Sequence, residues 1–276
     1  MKQNLILAGT GKTGRRVASR LAAAGLPVRT AARSGGDVPF DLDDPGTWPA
    51  ALDGVAAAYL VEPSLEAGAE HPPRIARLVD AAVAAGVGRL VLLSAPGADQ
   101  EGHVLHTTDL AVRESGLEWT VLRPNWFSQN FSEDFWQPAV RGGTLALPTG
   151  RGRVPFIDAD DIADVAAAAL TEDRHAGQVY DLTGPRALSF GEAAELIAGA
   201  TGRPLRFVDV APDEFRRQQI AHGVPETSAE RLTNLLVRVS ADTDNDIRDG
   251  VERALGRPPR RFEDFVVAAA ASGCWD

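Results

Sequence analysis

Glycines near the start of the chain have a spacing that can hold a phosphate group. The G-x-G-x-x-G motif consists of Gly9, Thr10, Gly11, Lys12, Thr13 and Gly14. An apolar run, 4–8, precedes the motif, and the apolar spacing within 12–24 predicts a helix after it. In this context, backbone N–H groups and the helix N-terminus can bind a pyrophosphate. The alternative interpretation is a strand–turn–helix connection that binds no ligand. We expect Gly9 to permit the tight turn, Gly11 to let the phosphate approach the backbone, and Gly14 to let the helix pack closely on the strand.

The end of the second predicted strand, 27–32, indicates which dinucleotide fits. Sites that prefer NAD usually place Asp or Glu here, where it binds the 2′-hydroxyl of the ribose. This chain has Arg33 and Ser34 instead, and a planar guanidinium group can bind a 2′-phosphate with two hydrogen bonds. The sequence therefore predicts NADP(H), and a solvated arginine that merely follows a strand is the alternative.

Aspartates cluster after a short third strand. Asp41 is predicted to accept a hydrogen bond from the adenine amino group. Asp43 and Asp44 directly precede Pro45, where a carboxylate typically caps the N-terminus of a helix. We therefore assign a cofactor-binding role to Asp41 alone.

Candidates for proton transfer follow the strand at 88–94. His106 and Asp109 are three residues apart on a predicted helix, 105–115, so they share a face. A histidine–carboxylate pair can relay a proton near neutral pH. Ser94 ends the strand, at the edge of a parallel sheet where ligands bind. These three residues are the predicted catalytic groups, and a histidine that only packs near a helix start is the alternative for His106.

Aromatic and amide side chains follow the strand at 119–122. Asn125, Trp126, Phe127 and Asn130 are predicted to line a pocket for a flat, apolar substrate. The alternative is that Trp126 and Phe127 belong to a hydrophobic core between two lobes.

Three further aspartates, Asp158, Asp160 and Asp161, could suggest a metal site. A helix start, where the dipole favours carboxylates, explains them better, and no His/Cys cluster supports a metal. We therefore predict no metal.

Strand and helix signals alternate through the first half of the chain, which predicts right-handed crossovers and a parallel sheet. The apolar run 90–93 is typical of a strand covered on both faces. After Pro124, helical segments dominate. We therefore predict an α/β protein with a Rossmann, doubly wound parallel sheet in 1–124 and a smaller, mostly helical C-terminal substrate lobe in 125–276. A segment near 154–182 is expected to return to the sheet.

The composition limits the possible partners. The formal net charge is −10, and no Lys/Arg-rich run is present, which argues against a nucleic-acid partner. The single cysteine, Cys274, can build neither a disulfide framework nor a thiol metal site. No signal peptide is evident and no apolar run approaches the ~20 residues of a transmembrane helix. We expect a cytoplasmic monomer or homodimer that acts on a small molecule, without membrane contact.

Several segments together resemble the NmrA-like branch of the atypical short-chain dehydrogenases. The matching segments are the glycine motif, Asp41 with 43–45, 92–94, 115–124, Phe127, Asn130, 156–163 and 182–185. Within this branch, the chain is most similar to bacterial relatives of the ergot-alkaloid iminium reductases and, more distantly, to NADPH quinone reductases. The resemblance implies an NADP(H)-binding fold with the substrate over the nicotinamide. It does not imply one reaction, because some members only sense the cofactor.

The chain departs from the wider superfamily at the proton donor. Short-chain dehydrogenases generally use Tyr-x-x-x-Lys, but the tyrosines here are Tyr59 and Tyr180 and the lysines are Lys2 and Lys12. No such pair can form. Isoflavone-reductase-like relatives have a lysine eleven residues before the glycine of the 115–124 motif, where this chain has Leu105. Carbonyl reduction by a Tyr/Lys pair is therefore excluded.

The expected function is NADPH-dependent reduction of a small unsaturated molecule, either an imine or iminium or a quinone-like acceptor. A role in secondary metabolism, as an imine reductase, is therefore expected. An iminium already carries the positive charge that a carbonyl gains only on protonation, so hydride transfer to it needs positioning more than acid catalysis. The alternatives are a non-catalytic NADP(H) sensor that binds a protein partner and a non-redox isomerase or cyclase on the same fold.

Overall fold

The computed structural model describes residues 3–62, 74–133, 135–241 and 245–276. The strands are β1 (Gln3–Leu7), β2 (Val28–Ala32), β3 (Val38–Pro39), β4 (Val55–Val61), β5 (Arg89–Leu93), β6 (Glu118–Pro124), β7 (Thr144–Leu147), β8 (Arg153–Val154), β9 (Gln178–Leu182), β10 (Leu188–Ser189) and β11 (Arg206–Asp209). The helices are α1 (Gly14–Ala23), α2 (Trp48–Leu52), α3 (Arg74–Ala84), α4 (His106–Arg113), α5 (Gln137–Arg141), α6 (Ala159–Thr171), α7 (Phe190–Thr201), α8 (Pro212–Ala221), α9 (Glu226–Ser240), α10 (Gly250–Leu255) and α11 (Phe262–Ala271). Short 3-10 turns cover Pro45–Thr47, Ser128–Phe131 and Asp173–His175.

Seven strands form one parallel sheet in the order β3-β2-β1-β4-β5-β6-β9. The chain builds outward from β1 to one edge, then returns to build the other, which is the doubly wound arrangement. Ile6 of β1 pairs with Thr30 on one side and with Tyr59 on the other. The strand order reverses beside β1, so its carboxyl end is the expected ligand-binding position. This architecture confirms the predicted Rossmann-type α/β fold.

Helices cover the sheet through apolar residues that recur every three or four positions. Val17 and Leu21 of α1 are buried, and so are Ile75, Leu78 and Val79 of α3. The middle of β5 is buried on both faces, as its continuous apolar run predicts. Burial of these faces, at about 25 cal/mol per Å² of apolar surface, is the main force that holds α1 and α3 to the sheet.

The chain divides into two compact units. The first contains the sheet and comprises Met1–Pro124, Ala159–Leu182 and Asp249–Arg257. The second comprises Asn125–Asp158, Thr183–Arg248 and Pro258–Asp276. The sequence did not predict that the segment with α10 returns to the first unit. Gly250 permits that return, because a Cβ there would lie 2.2 Å from the carbonyl oxygen of Asp181 in β9.

The second unit is built around connected aromatic rings. Trp126 stacks on Trp136 with ring centroids 5.5 Å apart. Trp136 lies 4.7 Å from Phe131 and 4.8 Å from Phe190, and both phenylalanines are fully buried. Two small two-stranded sheets, β10-β8 and β11-β7, flank this cluster in the same unit. Rings in edge-on and stacked contact add to the stability that their buried area provides.

Sequence periodicity located the longer elements of both units. It predicted a helix at 226–240, which α9 occupies, and a strand at 55–61, which β4 occupies. It missed β7, β8 and β10, which have two to four residues each and show little alternation. Among the described residues, no helix combines the length and apolarity needed to cross a membrane.

His175 is a buried titratable group far along the chain from the glycine motif. Its side chain is completely buried, and Nδ1 lies 2.8 Å from the hydroxyl of Tyr180. Its backbone oxygen accepts a hydrogen bond of 2.7 Å from the Thr120 hydroxyl. Burial lowers the pKa of His175, and Arg174 adds to this effect while Glu172 opposes it. The folded protein therefore favours the neutral imidazole.

This pKa shift predicts a stability that falls with acidification. The unfolded chain binds the proton at an ordinary pKa of about 6.5, so it takes up more protons than the folded chain below that pH. The stabilisation is present above pH ~6.5 and is lost as the pH falls toward the lower folded pKa, with a slope of at most about 1.4 kcal/mol per pH unit. Urea unfolding from about pH 7.5 to 5.5 measures the slope, which should flatten in His175→Asn. His222→Gln, which removes an exposed imidazole, is the matched control, and an unchanged slope in His175→Asn would refute the assignment.

Candidate functional site

The glycine motif forms a turn between β1 and α1 that leaves almost no space for side chains. Ala8 begins the turn with a φ of 48°, a conformation that residues other than glycine rarely adopt. The backbone N–H of Gly11 donates to the oxygen of Ala8 at 2.8 Å. A Cβ on Gly14 would lie 2.2 Å from that oxygen, and a Cβ on Gly11 would lie 3.1 Å from it. Gly14 therefore allows α1 to pack closely on β1.

Gly9 is required by a close approach to β2 rather than by its own backbone conformation. The positive φ of the turn lies at Ala8, whereas a Cβ on Gly9 would lie 2.6 Å from the Cβ of Thr30. A Cβ on Gly35 would lie 3.3 Å from the Cγ2 of Thr10. The glycine motif thus lies directly against the end of β2 and the loop that follows it.

Arg33 and Ser34 lie in that adjacent loop, and both are exposed. The guanidinium of Arg33 has no hydrogen-bonding or ionic partner among the described residues. Arg29, in contrast, donates to the backbone oxygens of Ala51 at 2.9 Å and Asp53 at 2.6 Å. Arg29 therefore stabilises the fold, whereas the guanidinium of Arg33 is available to a ligand.

The same loop contains a carboxylate that the sequence reasoning missed. Thr30 donates to Oδ2 of Asp37 from its backbone nitrogen and from its hydroxyl, each at 2.8 Å. The backbone hydrogen bond lowers the pKa of Asp37. Asp37 comes directly after the Gly35–Gly36 turn, and that turn is the sequence signal that could have located it. Its carboxylate holds the loop against β2.

The aspartates after β3 have distinct partners. Oδ1 of Asp41 accepts a hydrogen bond of 3.0 Å from the backbone of Asp43, and Oδ2 has no partner among the described residues. Asp44 caps the following 3-10 turn, as predicted. Asp43 does not act as a cap, because its carboxylate pairs with Arg74 at 2.7 Å. The adenine contact of Asp41 stays a prediction.

Arg16 connects the glycine motif to α6 within the first unit. Its Nη1 donates to the backbone oxygen of Lys12 at 2.8 Å, and its Nε lies 3.4 Å from Asp160. Asp161 pairs with Arg257 at 2.7 Å. These two aspartates of the first turn of α6 thus have arginine partners. The described residues contain no group of three or more His, Cys, Asp or Glu side chains that could hold a metal ion.

Ser94 lies at the carboxyl edge of the sheet, directly after β5. It is 7% exposed, and its backbone N–H donates to Leu122 of β6 at 2.7 Å. Its hydroxyl is buried and has no hydrogen-bond partner among the described residues. An unpaired buried hydroxyl costs free energy, so a group that hydrogen-bonds it is favoured at this edge. The catalytic role of Ser94 stays a prediction.

The predicted pair of His106 with Asp109 is wrong. Asp109 is completely buried, and its Oδ2 accepts a hydrogen bond of 2.9 Å from Arg123. Its Oδ1 lies 3.5 Å from Arg113, one turn later on α4. Nδ1 of His106 instead lies 3.2 Å from the backbone oxygen of Ala98. His106 and Asp109 share a face of α4, but their side chains do not pair. The buried carboxylate of Asp109 pairs instead with Arg123 of β6.

The residues predicted to line a substrate pocket all belong to the second unit. Asn125, Trp126 and Phe127 are half-buried, whereas Asn130 is 7% exposed. Oδ1 of Asn125 accepts a hydrogen bond of 2.7 Å from the backbone of Trp126. Trp126 belongs to the aromatic cluster of this unit, so its inner face packs in a core. The pocket itself stays a prediction.

Comparisons with known proteins agree with the fold. Residues 8–173 match the model of a family described as NAD(P)H-binding. An uncharacterised oxidoreductase of Bacillus subtilis, YesF, is 37% identical over 98% of this chain and 97% of its own length. An NAD(P)H azoreductase of Xenophilus azovorans is 34% identical over 97% of this chain and 98% of its own. Festuclavine synthase I of Penicillium roqueforti is 31% identical over 95% of this chain and 96% of its own.

A crystal structure shares the fold. The NADPH-dependent quinone oxidoreductase of Escherichia coli, solved with NADPH, superposes with a TM-score of 0.75 at 24% identity, over 96% of this chain and 99% of that chain. At this level of identity, the likeness concerns the arrangement of strands and helices.

Gly14→Ala should destabilise the protein. The added Cβ would meet a backbone oxygen at 2.2 Å, so α1 must move away from β1, at a cost of about 1–3 kcal/mol. Thermal unfolding should show a decrease of roughly 2–4 °C per kcal/mol. The control is Gly199→Ala in α7, where no atom lies within 4 Å of the added Cβ and a gain of about 0.5–1 kcal/mol is expected. If Gly14→Ala unfolds at the temperature of the unmodified protein, the close contact is not required.

Proposed function

We propose that this chain, which belongs to the NAD(P)H-binding family, uses NADPH to reduce a small unsaturated acceptor. The chain is an NmrA-like atypical short-chain dehydrogenase and acts as an NAD(P)H-dependent reductase. The acceptor class is an imine or iminium or a quinone-like molecule. The observation that carries the proposal is the glycine turn, which has almost no space for side chains, beside a loop in which Arg33 is exposed and unpaired.

The residues at the turn fit a dinucleotide. A Cβ on Gly11 would crowd the backbone oxygen of Ala8 at 3.1 Å, and without a side chain at this position a phosphate could approach the backbone closely. Arg33 would bind the 2′-phosphate of the adenosine ribose, since a guanidinium matches phosphate geometry. Asp41 would accept from the adenine amino group through Oδ2. When bound, NADPH supplies the hydride.

The acceptor class is supported by relatives and by residue types. Relatives that align over nearly the whole chain are named as an azoreductase and a festuclavine synthase, and the first name fits the reduction of a nitrogen-containing double bond. Tyr59 and Tyr180 are not followed four residues later by lysine, so a Tyr/Lys proton donor is missing. An acceptor that already carries positive charge fits this site best, because its hydride transfer depends on positioning.

His106 is the proposed proton donor for acceptors that need one. A backbone oxygen can only accept, so the contact of 3.2 Å with Ala98 requires the proton of the neutral imidazole on Nδ1. Nε2 is then the nitrogen that gains a proton from solvent and gives it to the acceptor. Ser94 would hydrogen-bond the reacting group at the same edge of the sheet.

The direct test is NADPH oxidation with a panel of cyclic imines, quinones and ketones. Turnover of the imines or quinones supports the proposal. Tight NADPH binding without turnover of any acceptor would favour a sensor, and conversion of an acceptor without NADPH oxidation would favour an isomerase or cyclase.

Arg33 should determine the choice between the two cofactors. Hydrogen bonds to a charged phosphate contribute about 1.5–3 kcal/mol, so NADPH should bind about 10- to 100-fold more tightly than NADH. Arg33→Ala should remove most of this difference and keep the affinity for NADH. Calorimetric titration measures both, with Arg174→Ala, an exposed arginine of the same unit, as the control. Equal affinities for the two cofactors in the unmodified protein would contradict the proposal.

His106 and Trp126 should affect different acceptors. With a quinone or ketone, His106→Ala should lower kcat by about 10²–10⁴, the usual contribution of general acid catalysis. With an iminium, which needs no proton for hydride transfer, the decrease should be less than about tenfold, and Trp126→Ala should cause the larger loss. Steady-state kinetics of both variants with both acceptors measure this, with His222→Ala as the control. Full activity of His106→Ala with a ketone would exclude His106 as the acid.

A further inference from the structure

We propose that Asp99 and Arg123 are positioning residues that fix the imidazole of His106 in its Nδ1–H form. The inference rests on the proposed role of His106 and identifies how the fold selects the nitrogen that exchanges protons. All the groups involved lie in the first unit, in α4, in β6 and in the loop 94–105 that connects β5 to α4.

Two histidines of this region have opposite hydrogen-bond roles. Nδ1 of His106 lies 3.2 Å from the oxygen of Ala98 and must donate to it. Nδ1 of His103 accepts a hydrogen bond of 3.1 Å from the backbone N–H of Leu105, so a neutral His103 carries its proton on Nε2. The backbone of one loop thus imposes different tautomers on two imidazoles three residues apart.

The loop holds the oxygen of Ala98 at the required position. Gly97 has a φ of +77°, which favours glycine and turns the chain at this point. The backbone N–H of Ala98 donates to Ala95 at 3.2 Å, and its side chain is fully buried. The next residue, Asp99, pairs with Nη1 of Arg123 at 3.2 Å. An ion pair therefore anchors the residue adjacent to the carbonyl that orients His106.

Arg123 is itself held in place by a residue of α4, the helix that contains His106. It is 7% exposed in β6, and its Nη2 donates to Asp109 of α4 at 2.9 Å. The contacts form a closed circuit that runs from Asp109 to Arg123, then to Asp99, to Ala98 and back to α4 at His106. Because Asp109 and His106 both lie on α4, a shift of the loop would strain every contact of this circuit. Asp109 thus acts on His106 through Arg123 and the loop, rather than by direct contact.

The circuit has a chemical consequence. An imidazolium that gives its Nε2 proton to the acceptor returns to the Nδ1–H form, which the oxygen of Ala98 stabilises. Solvent then reprotonates Nε2, and the same nitrogen acts in each turnover. If the proton of the neutral ring moved to Nε2, the lone pair would face the Ala98 oxygen and the two would repel.

The test reads the tautomers directly. Nitrogen-15 NMR of histidine-labelled full-length protein, at a pH near 8.5 where histidine is ordinarily neutral, distinguishes Nδ1–H from Nε2–H. In the unmodified protein, His106 should show the Nδ1–H form and His103 the Nε2–H form. Asp99 is the residue to change because its side chain is 51% exposed, whereas removal of buried Arg123 or Asp109 would leave an unpaired charge and threaten folding.

In Asp99→Ala, His106 should acquire a measurable Nε2–H population, and kcat with a proton-requiring acceptor should fall about two- to fivefold with little change in KM, which corresponds to the contribution of a half-exposed ion pair. Asp99→Asn keeps an oxygen that accepts from Arg123 and should restore the tautomer. Asp173→Ala, which removes an exposed carboxylate that pairs with Arg89 in the same unit, should leave both imidazoles unchanged. If His106 keeps the Nδ1–H form in Asp99→Ala, the inference is wrong. If the tautomer changes as expected but His106→Ala is fully active, the positioning stands and the proposed acid role fails.

Discussion

The NAD(P)H-binding unit depends on the contact between the start of α1 and the end of β1. A single methyl group on Gly14 would meet the Ala8 oxygen at 2.2 Å, so the helix lies closer to the strand than a residue with a side chain at position 14 would permit. This closeness places the N-terminus of α1 at the carboxyl edge of the sheet, where we expect a phosphate to bind. Because Gly9 has no side chain, it packs directly against Thr30, and this contact places the loop of Arg33 at the same edge of the sheet. The predicted cofactor site therefore depends on backbone packing.

Local rules predicted the fold well. Strands β1, β4 and β5 have continuous apolar runs and α1, α3 and α9 have helical spacing, so their positions and the parallel sheet follow from periodicity. Local rules failed where an element is specified by distant contacts. The return of α10 to the first unit depends on Gly250, whose missing side chain matters only because Asp181 lies beside it. No pattern within a window of ten residues contains that information.

The candidate site also contains some features that local rules predict and others that distant contacts specify. The capping role of Asp44 depends on neighbouring residues, and sequence reasoning located it; the cofactor roles of the glycine motif and Arg33 stay predictions. Asp109 was given the wrong partner, because helical spacing brings His106 to its face, whereas the sheet brings Arg123 from fourteen residues away. A buried carboxylate pairs with a full positive charge in preference to a neutral ring, since an unpaired charge is costly away from water. Which cation pairs with the carboxylate depends on the order of the strands in the sheet. The spacing of residues along the chain does not encode that order.

Arginine supplies the cations of the ion pairs described above, and lysine is confined to Lys2 and Lys12. Guanidinium groups stay protonated and do not react with acylating agents, whereas the ammonium group of lysine is the usual target of acetylation. Lys12 is half-buried in the glycine turn, and its backbone oxygen is bound by Arg16. Reagents that couple to lysine, such as those used to attach dyes or solid supports, therefore have the proposed phosphate-binding turn as one of two lysine targets. Attachment through carboxylates would leave that turn unmodified.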